Sequence, residues 1–262
     1  MQAPDPIAFT LFGIDIMWYG VLIAGGMGIA IVMCCYRGPV HGISSDKVLN
    51  FCLISIPAGV IGARLYYVVF NWSDYSGDIF RIFHTRGGGL AIHGGLIFAF
   101  LTVVILCRFW KEHPLNILDL AIPTVALAQA IGRWGNYFNS EAHGGPTDLP
   151  WAIIVDGIKV HPTFLYESLW CFLLFFFLIY VDNRRKFVGQ TFIIYCVLYS
   201  AERFFVEGLR TDSLMLFGFV KQAQVLSIVV MIVAILSYIY LNKRTGQPGF
   251  LSADGRNTNR SI

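Results

Sequence analysis

Charged residues are scarce in this chain, and their scarcity excludes most soluble proteins. Only 13% of its 262 residues are Asp, Glu, Lys or Arg, whereas soluble domains carry about 25%. The basic residues are too few and too scattered to form a phosphate-binding stripe, so we expect no nucleic acid among its partners. Hydrophobic residues make up 56% of the chain, which excludes a disordered protein.

Cysteine pairing patterns and a basic leader are also missing. The six cysteines contain no C-x-x-C pair and no histidine at metal-ligand spacing, and all lie in or at the ends of apolar runs. We interpret them as small core residues, exclude a disulfide scaffold, and expect neither a metal nor another cofactor. The first 16 residues hold no Lys or Arg, so we expect no secretory signal and a retained first apolar segment. The cysteines are Cys34, Cys35, Cys52, Cys107, Cys171 and Cys196.

The sequence contains several long apolar runs. Seven windows of about 20 residues are long enough to cross a hydrocarbon core of ~30 Å as helices. They cover 17–36, 48–70, 89–110, 115–138, 163–182, 188–208 and 223–242. The sequence therefore predicts an all-α polytopic membrane protein with seven transmembrane helices, forming one domain over residues 1–242.

The connections between these spans differ in basic residues, and the difference predicts orientation. Two alternating sets of connections and termini carry 11 and 5 Lys and Arg. The richer set comprises 37–47, 108–114, 183–187 and 243–262. The poorer set comprises 1–16, 71–88, 139–162 and 209–222. Because basic loops stay in the cytoplasm, we expect the N-terminus outside and the C-terminus in the cytoplasm.

Two segments outside the spans are distinctive. The connection 139–162 is rich in Gly, Pro and polar residues and predicts a small extracytoplasmic head region, with a hairpin between Trp151 and Val160 turned at Asp156-Gly157. The longer external connections suggest that binding occurs on the outer side. The tail 243–262 is polar and aperiodic, and we expect it to be disordered.

Three arginines fall inside the predicted spans, namely Arg64, Arg133 and Arg203. A charge inside the membrane is costly, so each arginine is a functional hypothesis by default. Arg64 stands next to the aromatic residues Tyr66 and Tyr67. For this arginine, snorkelling to the interface is as good an interpretation as a role in a site.

Arg133 lies in the most polar stretch of the chain, at the outer end of the fourth span. Asn136 follows three residues later and shares its helical face, and Asn139 continues that face. A helix end could explain the Asn and Gly residues alone. It does not require a guanidinium, two amides and the carboxylate of Glu141 together at membrane depth, so we favour a functional role.

Arg203 shares a helical face with Tyr199 and Glu207, which lie four residues before and after it. Arg203 and Glu207 could form only a structural ion pair. Arg before Glu is the weaker helical order, however, so we favour a shared ligand or a link to another helix. Two arginines at the same depth near the outer leaflet form a site suited to binding an anion. The obvious anion at that depth is the phosphate of a phospholipid headgroup.

His93 and the pair Trp18-Tyr19 begin the third and first spans on the same outer side. Imidazole titrates where proton transfer at neutral pH is useful, although a satisfied core histidine is an equally good interpretation of His93. Trp18 and Tyr19 are more simply explained as interfacial aromatics. The residues thus indicate a protein that binds a phosphate-bearing lipid at the outer leaflet and performs acid-base chemistry.

Several separated blocks of the chain resemble the family of phosphatidylglycerol-prolipoprotein diacylglyceryl transferases, in the same order. They extend over nearly all of the chain except the tail. The blocks are Trp18-Tyr19-Gly20, His93-Gly94-Gly95, the run from Gly132 to Glu141, His161-Pro162 with Leu165-Tyr166-Glu167, and the run from Arg203 to Glu207 followed by Arg210-Thr211-Asp212. The run from Gly144 to Asp148 resembles members from Gram-positive bacteria, with His143 where an aromatic such as Tyr is expected.

The resemblance implies a multi-pass enzyme of the bacterial cytoplasmic (inner) membrane. Such an enzyme moves the diacylglyceryl group of phosphatidylglycerol to the lipobox cysteine thiol of a prolipoprotein signal peptide. A thioether forms and glycerol phosphate leaves, as the first step of lipoprotein maturation. No metal or other cofactor is implied, and we expect a monomer rather than an oligomer.

The resemblance also implies roles for individual residues. The implied catalytic residues are His93 as the base, Arg133 and Arg203 on the phosphate, and Glu207 as the support of Arg203. Tyr19 and Asn136 are implied to contact the headgroup, and Glu141 with Gly144 to shape the path of the peptide. Asn139 and Tyr199 complete the implied substrate-binding set.

Three other classes fit a membrane protein of this kind less well. A lipid or anion transporter would also place arginines in a membrane cavity, but the internal repeats expected of many transporters are not visible. A retinal protein needs a Schiff-base lysine in its last span, and 223–242 contains none. An intramembrane serine protease needs a nucleophile, and neither Ser200 nor Ser227 has a glycine-flanked setting. Transport is the strongest alternative on physical grounds alone.

Overall fold

The computed structural model describes residues 5–84, 88–216 and 218–245. Within them the chain forms seven α-helices and three antiparallel two-stranded hairpins. The helices are α1 (Trp18–Arg37), α2 (Ser45–Phe70), α3 (Ile92–Trp110), α4 (Pro114–Phe138), α5 (Thr163–Asp182), α6 (Gln190–Leu209) and α7 (Gln222–Arg244). The hairpins pair β1 (Ile7–Leu11) with β2 (Ile14–Met17), β3 (Ile153–Val155) with β4 (Ile158–Val160), and β5 (Met215–Leu216) with β6 (Val220–Lys221).

Each predicted span coincides with a helix, and no helix end differs from the prediction by more than three residues. Six helices, α1 to α5 and α7, are long and apolar enough to cross a membrane. The all-helical membrane class is therefore confirmed. Helix α6 stands apart because its 20 residues include the charged side chains of Glu202, Arg203 and Glu207.

Polar caps fix the start of two helices. At α2, Ser44 Oγ accepts a hydrogen bond from Lys47 N at 3.4 Å, which satisfies one of the free N–H groups of the first turn. At α6, the cap comes from another helix, because the buried carboxylate of Asp119 in α4 accepts from Gly189 N at 2.6 Å and from Phe192 N at 2.9 Å. These bonds hold the beginning of α6 against α4.

The chain divides into two compact units, of which the first contains residues up to Met33 and from Leu118 onward. Its main core is formed by apolar side chains of α4, α5 and α6. The buried members of that core are Ile122, Ala126, Leu174, Phe175, Leu178 and Tyr195. Helix α7 packs against α6, where Gln224 Nε2 donates a hydrogen bond to Phe204 O at 3.1 Å.

The second unit contains residues Cys34 to Ile117 and is built around α2 and α3. The two helices approach closely because the ring of Phe98 occupies the space beside Gly62, where a side chain would overlap it. At one end, Lys47 Nζ lies 2.6 Å from Glu112 Oε1. Small residues at such a contact allow the van der Waals packing that drives helix association in membranes.

The predicted head hairpin is confirmed as β3–β4. Its turn is at Asp156 and Gly157, whose φ angles of 49° and 79° are those of the hairpin turn that matches strand twist. The hairpin packs on the ends of α4 and α5 through a small core of its own. That core contains Tyr137, Ile153, Val155, Val160 and Phe164.

The sequence prediction is right for the cysteines, but it misses two hairpins and places the end of the last helix too early. The six cysteines are buried or half-buried, in agreement with their interpretation as core residues. The hairpins β1–β2 and β5–β6 are not predicted, because their apolar residues run directly into the adjoining spans. Helix α7 continues to Arg244, so the first residues of the predicted disordered tail are helical. Residues 246–262 of that tail lie outside the described residues.

Candidate functional site

Two arginines and two glutamates form an ion-pair network between α4, α5 and α6. Glu167 in the first turns of α5 joins the two arginines, with its Oε2 3.1 Å from Arg133 NH1 and its Oε1 2.5 Å from Arg203 NH1. Arg203 NH2 also lies 2.7 Å from Glu207 Oε2 on its own helix. Arg203 therefore forms both the intrahelical pair and the link to another helix that the sequence left as alternatives.

The members of this network differ in exposure. The side chains of Arg133 and Arg203 are each 20% exposed, whereas those of Glu167 and Glu207 are 1% and 4% exposed. A small anion that reaches the network thus meets guanidinium groups, behind which the carboxylates are buried. This order of exposure suits anion binding, because guanidinium N–H groups match the geometry of phosphate oxygens.

Each guanidinium keeps donors for a ligand. A guanidinium carries five N–H groups, and the described contacts of Arg133 are with Glu167 and with Tyr199, whose hydroxyl oxygen accepts from Arg133 NH2 at 3.2 Å. The described contacts of Arg203 are with Glu167 and Glu207. On each arginine three of the five N–H groups therefore have no hydrogen-bond or ion-pair partner among the described contacts.

Aromatic and hydroxyl contacts hold the network in place. Tyr199 stacks on Tyr195 with ring centroids 5.2 Å apart. The indole Nε1 of Trp134, next to Arg133, donates to Ser168 Oγ at 3.1 Å, and that hydroxyl donates to Ala130 O at 2.8 Å. The helix bearing Arg133 is thus fastened to α5, the helix that bears Glu167.

The amides that follow Arg133 converge on one carboxylate. Asn136 Nδ2 and Asn139 Nδ2 donate to Glu141 Oε1 at 3.0 and 3.2 Å. The chain reverses there through Ser140 and Ala142, which have φ angles of 53° and 57°. The predicted site residues Asn136, Asn139 and Glu141 therefore form a connected polar group at the end of α4.

Gly144 joins the head region to the end of α6. Its N–H donates to His161 O at 2.9 Å, and it forms an antiparallel bridge with Arg210. The neighbouring Gly145 N donates to Leu209 O at 2.9 Å. Gly144 thus ties the head loop to the helix that carries Arg203 and Glu207.

Beyond this join, Arg210 holds the next loop. Its Nε and NH2 donate to the two carboxylate oxygens of Asp212 at 2.9 and 2.8 Å. These hydrogen bonds lower the pKa of the Asp212 carboxyl. The carboxylate therefore remains ionised, and the Arg210–Asp212 pair intact, below the pH at which a free Asp is protonated.

Gly144→Ala is expected to disrupt this join. The added methyl group would lie 2.6 Å from His161 Cβ and 3.1 Å from Leu209 O, on backbone that hydrogen bonds hold fixed. Overpacking of this kind costs about 1 to 3 kcal/mol, so we expect a lower melting temperature and about tenfold lower turnover. Gly145→Ala is the matched control, because its methyl group meets only Thr211 Cγ2 at 3.7 Å. Equal effects of the two substitutions would contradict the prediction.

Tyr19 and Trp18 lie at the start of α1 and pack on the same end of α4. The ring of Trp18 stacks on Phe138 with centroids 5.1 Å apart. Tyr19 covers Gly135, where an added Cβ would be 2.6 Å from Tyr19 Cδ2. The two aromatics thus contact residues of the run from Gly132 to Glu141 directly. A position at the membrane interface alone does not explain these contacts.

Arg64 is neither a snorkelling residue nor an available ligand. Its side chain is buried, and its guanidinium donates five hydrogen bonds of 2.7 to 3.1 Å to backbone carbonyl oxygens of the loop between α2 and α3. The acceptors are the carbonyls of Arg81, Ile82, His84, Gly88 and Gly89. Arg64 therefore orders the loop that precedes His93.

Arg64→Lys is expected to loosen this loop strongly. A lysine ammonium has three N–H groups on one nitrogen and cannot reach five carbonyls. Each lost hydrogen bond from a charged donor costs about 1.5 to 3 kcal/mol, so we expect a large fall in melting temperature and faster proteolysis of the loop. Arg81→Lys serves as the control, since only its backbone joins the arrangement. The prediction fails if Arg64→Lys melts like Arg81→Lys.

His93 lies in the first turn of α3, within the unit of residues 34–117. Its side chain is exposed, and its ring lies 6.4 Å from that of Tyr66. It is therefore not a satisfied core histidine. Exposure leaves the imidazole accessible to a substrate, as a general base must be.

Glu167 is the residue whose role the sequence does not predict. It lies in the block Leu165-Tyr166-Glu167 that carries part of the family resemblance, and two intramembrane arginines require acidic partners. Helical periodicity gave Glu207 as the partner of Arg203, but it cannot show that a third helix supplies a carboxylate to both arginines. Glu202, one position before Arg203, has no assigned role, since its buried carboxylate oxygens have no hydrogen-bond partner among the described residues.

The chain is similar to known proteins over nearly its whole length. Residues 6–240 match the family model described as prolipoprotein diacylglyceryl transferase. A phosphatidylglycerol–prolipoprotein diacylglyceryl transferase of Clostridioides difficile (strain 630) is 53% identical over 240 residues, which are 92% of this chain and 96% of that protein. Proteins of the same name from Finegoldia magna and Clostridium botulinum (strain Hall) are 48% and 45% identical, over 92% and 90% of this chain and 97% and 96% of their own lengths.

Proposed function

The chain belongs to the prolipoprotein diacylglyceryl transferase family, and we propose that Arg133 and Arg203 bind the phosphate of phosphatidylglycerol while its diacylglyceryl group is transferred to a prolipoprotein cysteine. This transfer is the first step of lipoprotein maturation. The observation that carries the proposal is the pair of partly exposed guanidinium groups joined by one buried carboxylate.

The chemistry explains why two arginines are needed. The cysteine thiol loses its proton to a base, and the sulfur attacks the glyceryl carbon that bears the phosphate. A carbon–sulfur bond forms, the carbon–oxygen bond breaks, and its electron pair leaves on glycerol phosphate. The phosphate passes from one negative charge to two, so donors aimed at its oxygens stabilise the transition state more than the bound lipid.

The remaining site residues support this reaction in two ways. Glu167 and Glu207 are positioning residues, because they fix the arginines by ion pairs and are themselves buried. We assign Tyr19 and Asn136 to the lipid headgroup and Tyr199 to the Arg133 side of the phosphate. Asn139, Glu141 and Gly144, which link α4 to the head region, are assigned to the path of the signal peptide.

His93 is the proposed base that deprotonates the thiol. Imidazole is suited to this step at neutral pH, and the ring is exposed at the start of α3. His93→Gln is expected to lower turnover by about 10² to 10⁴, the usual contribution of general base catalysis, with binding of phosphatidylglycerol unchanged. Near-normal turnover of this variant would remove His93 from the mechanism and leave the phosphate site standing.

We also propose that α6 is a seventh transmembrane helix, with the N-terminus outside and the C-terminus in the cytoplasm. Its 20 residues span about 30 Å. Of its charged side chains, Arg203 pairs with Glu167 of α5 and with Glu207, and Glu202 is buried. The excess of Lys and Arg in alternate connections supports this orientation in the bacterial cytoplasmic membrane. We propose that residues 1–242 act as one catalytic domain in a single chain.

A direct assay tests the proposed function. The purified protein is incubated in vesicles with phosphatidylglycerol, labelled in its acyl chains, and a lipobox peptide. The expected result is a mass increase of one diacylglyceryl group on the peptide cysteine, together with release of glycerol phosphate, and no change in a peptide with serine at that position. Movement of lipid between leaflets without a thioether would favour a transporter instead.

A further inference from the structure

The hairpin β1–β2 before the first transmembrane helix has one apolar and one polar face. Phe9 pairs with Ile16 and Leu11 with Ile14, so these four side chains lie on one face. Between them, Thr10 pairs with Asp15 on the opposite face, where Thr10 Oγ1 donates to Asp15 Oδ1 at 2.7 Å. An amphipathic sheet normally packs its apolar face on a core.

Most of the apolar face of this hairpin is uncovered in the described chain. Phe9, Leu11 and Ile14 are exposed, Ile16 is half-buried, and Phe12 at the tip is 95% exposed. Contiguous exposed apolar surface of this kind marks a site of contact with a membrane or another protein.

The turn itself points to a special environment. Phe12 and Gly13 have φ angles of 50° and 76°, the conformation in which Asn, Asp or Gly is preferred at both central positions. A bulky aromatic residue with positive φ carries strain. Here a strained backbone exposes a phenyl ring fully. Exposure of an apolar ring to water is unfavourable, so contact with water does not compensate this strain.

The position of the hairpin places it at the membrane boundary. Met17, the last residue of β2, is followed directly by Trp18, the first residue of the transmembrane helix α1. Trp18 N also donates to Pro6 O at 2.9 Å, and its ring stacks on Phe138. With no linker between hairpin and helix, the hairpin lies directly at the end of a helix long and apolar enough to span a membrane.

We propose that the β1–β2 hairpin is a membrane anchor whose apolar face and Phe12 tip insert into the lipid leaflet next to the start of α1. Burial of an apolar face below the headgroups is the known mode of interfacial elements. The only charged residues from 5 to 17 are Asp5 and Asp15, and Asp15 lies on the polar face. Insertion is therefore driven by apolar surface and does not depend on attraction to anionic headgroups.

Site-specific photo-cross-linking in vesicles tests this anchor. The full chain carrying Phe12→p-benzoylphenylalanine is reconstituted in phosphatidylcholine and phosphatidylglycerol and irradiated, and lipid adducts are measured by mass spectrometry. Adducts with phosphatidylcholine are counted, because that lipid reports the leaflet rather than the proposed substrate. Asp15→p-benzoylphenylalanine on the polar face is the matched negative control. Ile232→p-benzoylphenylalanine, on the exposed side of α7, is the positive control.

The expected result is a phosphatidylcholine adduct at position 12 close in yield to that at position 232 and roughly tenfold above that at position 15, since the two hairpin faces point in opposite directions. Leu11→p-benzoylphenylalanine, on the apolar face, is used in the same way if the Phe12 variant does not fold. Equal yields at positions 12 and 15 would overturn the proposal. Cross-links from position 12 to a second copy of the chain, or to other parts of the same chain, in place of lipid would overturn it as well.

Discussion

Glu167→Gln is expected to lower turnover about a hundredfold or more. Removing one partner of a buried ion pair costs about 3 to 5 kcal/mol, and about 3 kcal/mol of transition-state stabilisation is a factor of about a hundred in rate. Glutamine keeps the shape of the side chain, but it has one oxygen where two guanidinium groups need two. Its amide N–H₂ group then faces the N–H groups of an arginine. Two donors cannot form a hydrogen bond with each other, so at least one guanidinium leaves its position.

The matched control is Glu202→Gln. Both residues are buried acids near the two arginines, but Glu202 interacts with Arg133 and Arg203 only through space and forms no hydrogen bond among the described residues. Removing its charge therefore leaves the contacts that position the guanidinium groups in place. Turnover of Glu202→Gln is expected to stay within a few-fold of the unmodified enzyme. If both variants lost activity equally, the loss would reflect a general sensitivity to removing a buried carboxylate charge. The positioning role of Glu167 would then be wrong.

A stability measurement separates the two ways in which Glu167→Gln can act. The network holds α4, α5 and α6 together, so part of the loss falls on folding and lowers the melting temperature. The part of the turnover loss that arises from impaired catalysis persists at temperatures well below the unfolding transition, where the variant is folded. We expect most of the rate loss to remain there, because Arg133 and Arg203 are misplaced even in the folded protein.

Residues that act within one helix were predictable from the sequence. Arg203 and Glu207 lie four positions apart, and helical geometry alone brings them together. Asn136 follows Arg133 by three positions, but its described hydrogen bond is to Glu141. The apolar windows likewise located each α-helix of the described chain, because a run of about 20 apolar residues favours a helix of that length.

Residues that act through irregular backbone or across helices were not predictable. The five carbonyl acceptors of Arg64 belong to a loop whose path no periodicity describes. The bridge from Glu167 to both arginines depends on how three helices pack. The turn at Phe12-Gly13 runs against residue preference, since Phe is a poor choice at positive φ. In each case tertiary contacts, rather than local propensity, determine the arrangement.

Arg203→Lys is expected to lower turnover by about 10² to 10³, the usual loss when a preorganised donor to developing negative charge is removed. The positive charge is kept, so the loss arises from geometry. Arg203 uses separate nitrogens for Glu167 and Glu207 and keeps N–H groups for a phosphate. A lysine places all its donors on one nitrogen and cannot satisfy two carboxylates and a phosphate together. Arg184→Lys, on the exposed end beyond α5, is the control for loss of an arginine as such.

The double variant Arg133→Lys and Arg203→Lys tests whether the two arginines act on one phosphate. Groups that share a ligand and a counter-ion act as a unit, so their effects do not multiply. After either substitution the phosphate is already poorly held, and the shared Glu167 has already lost one well-placed partner. The double variant should therefore be only slightly slower than the worse single variant. A loss equal to the product of the two single losses, measured as kcat/KM for phosphatidylglycerol, would mean that the arginines serve independent steps and that the single phosphate site is wrong.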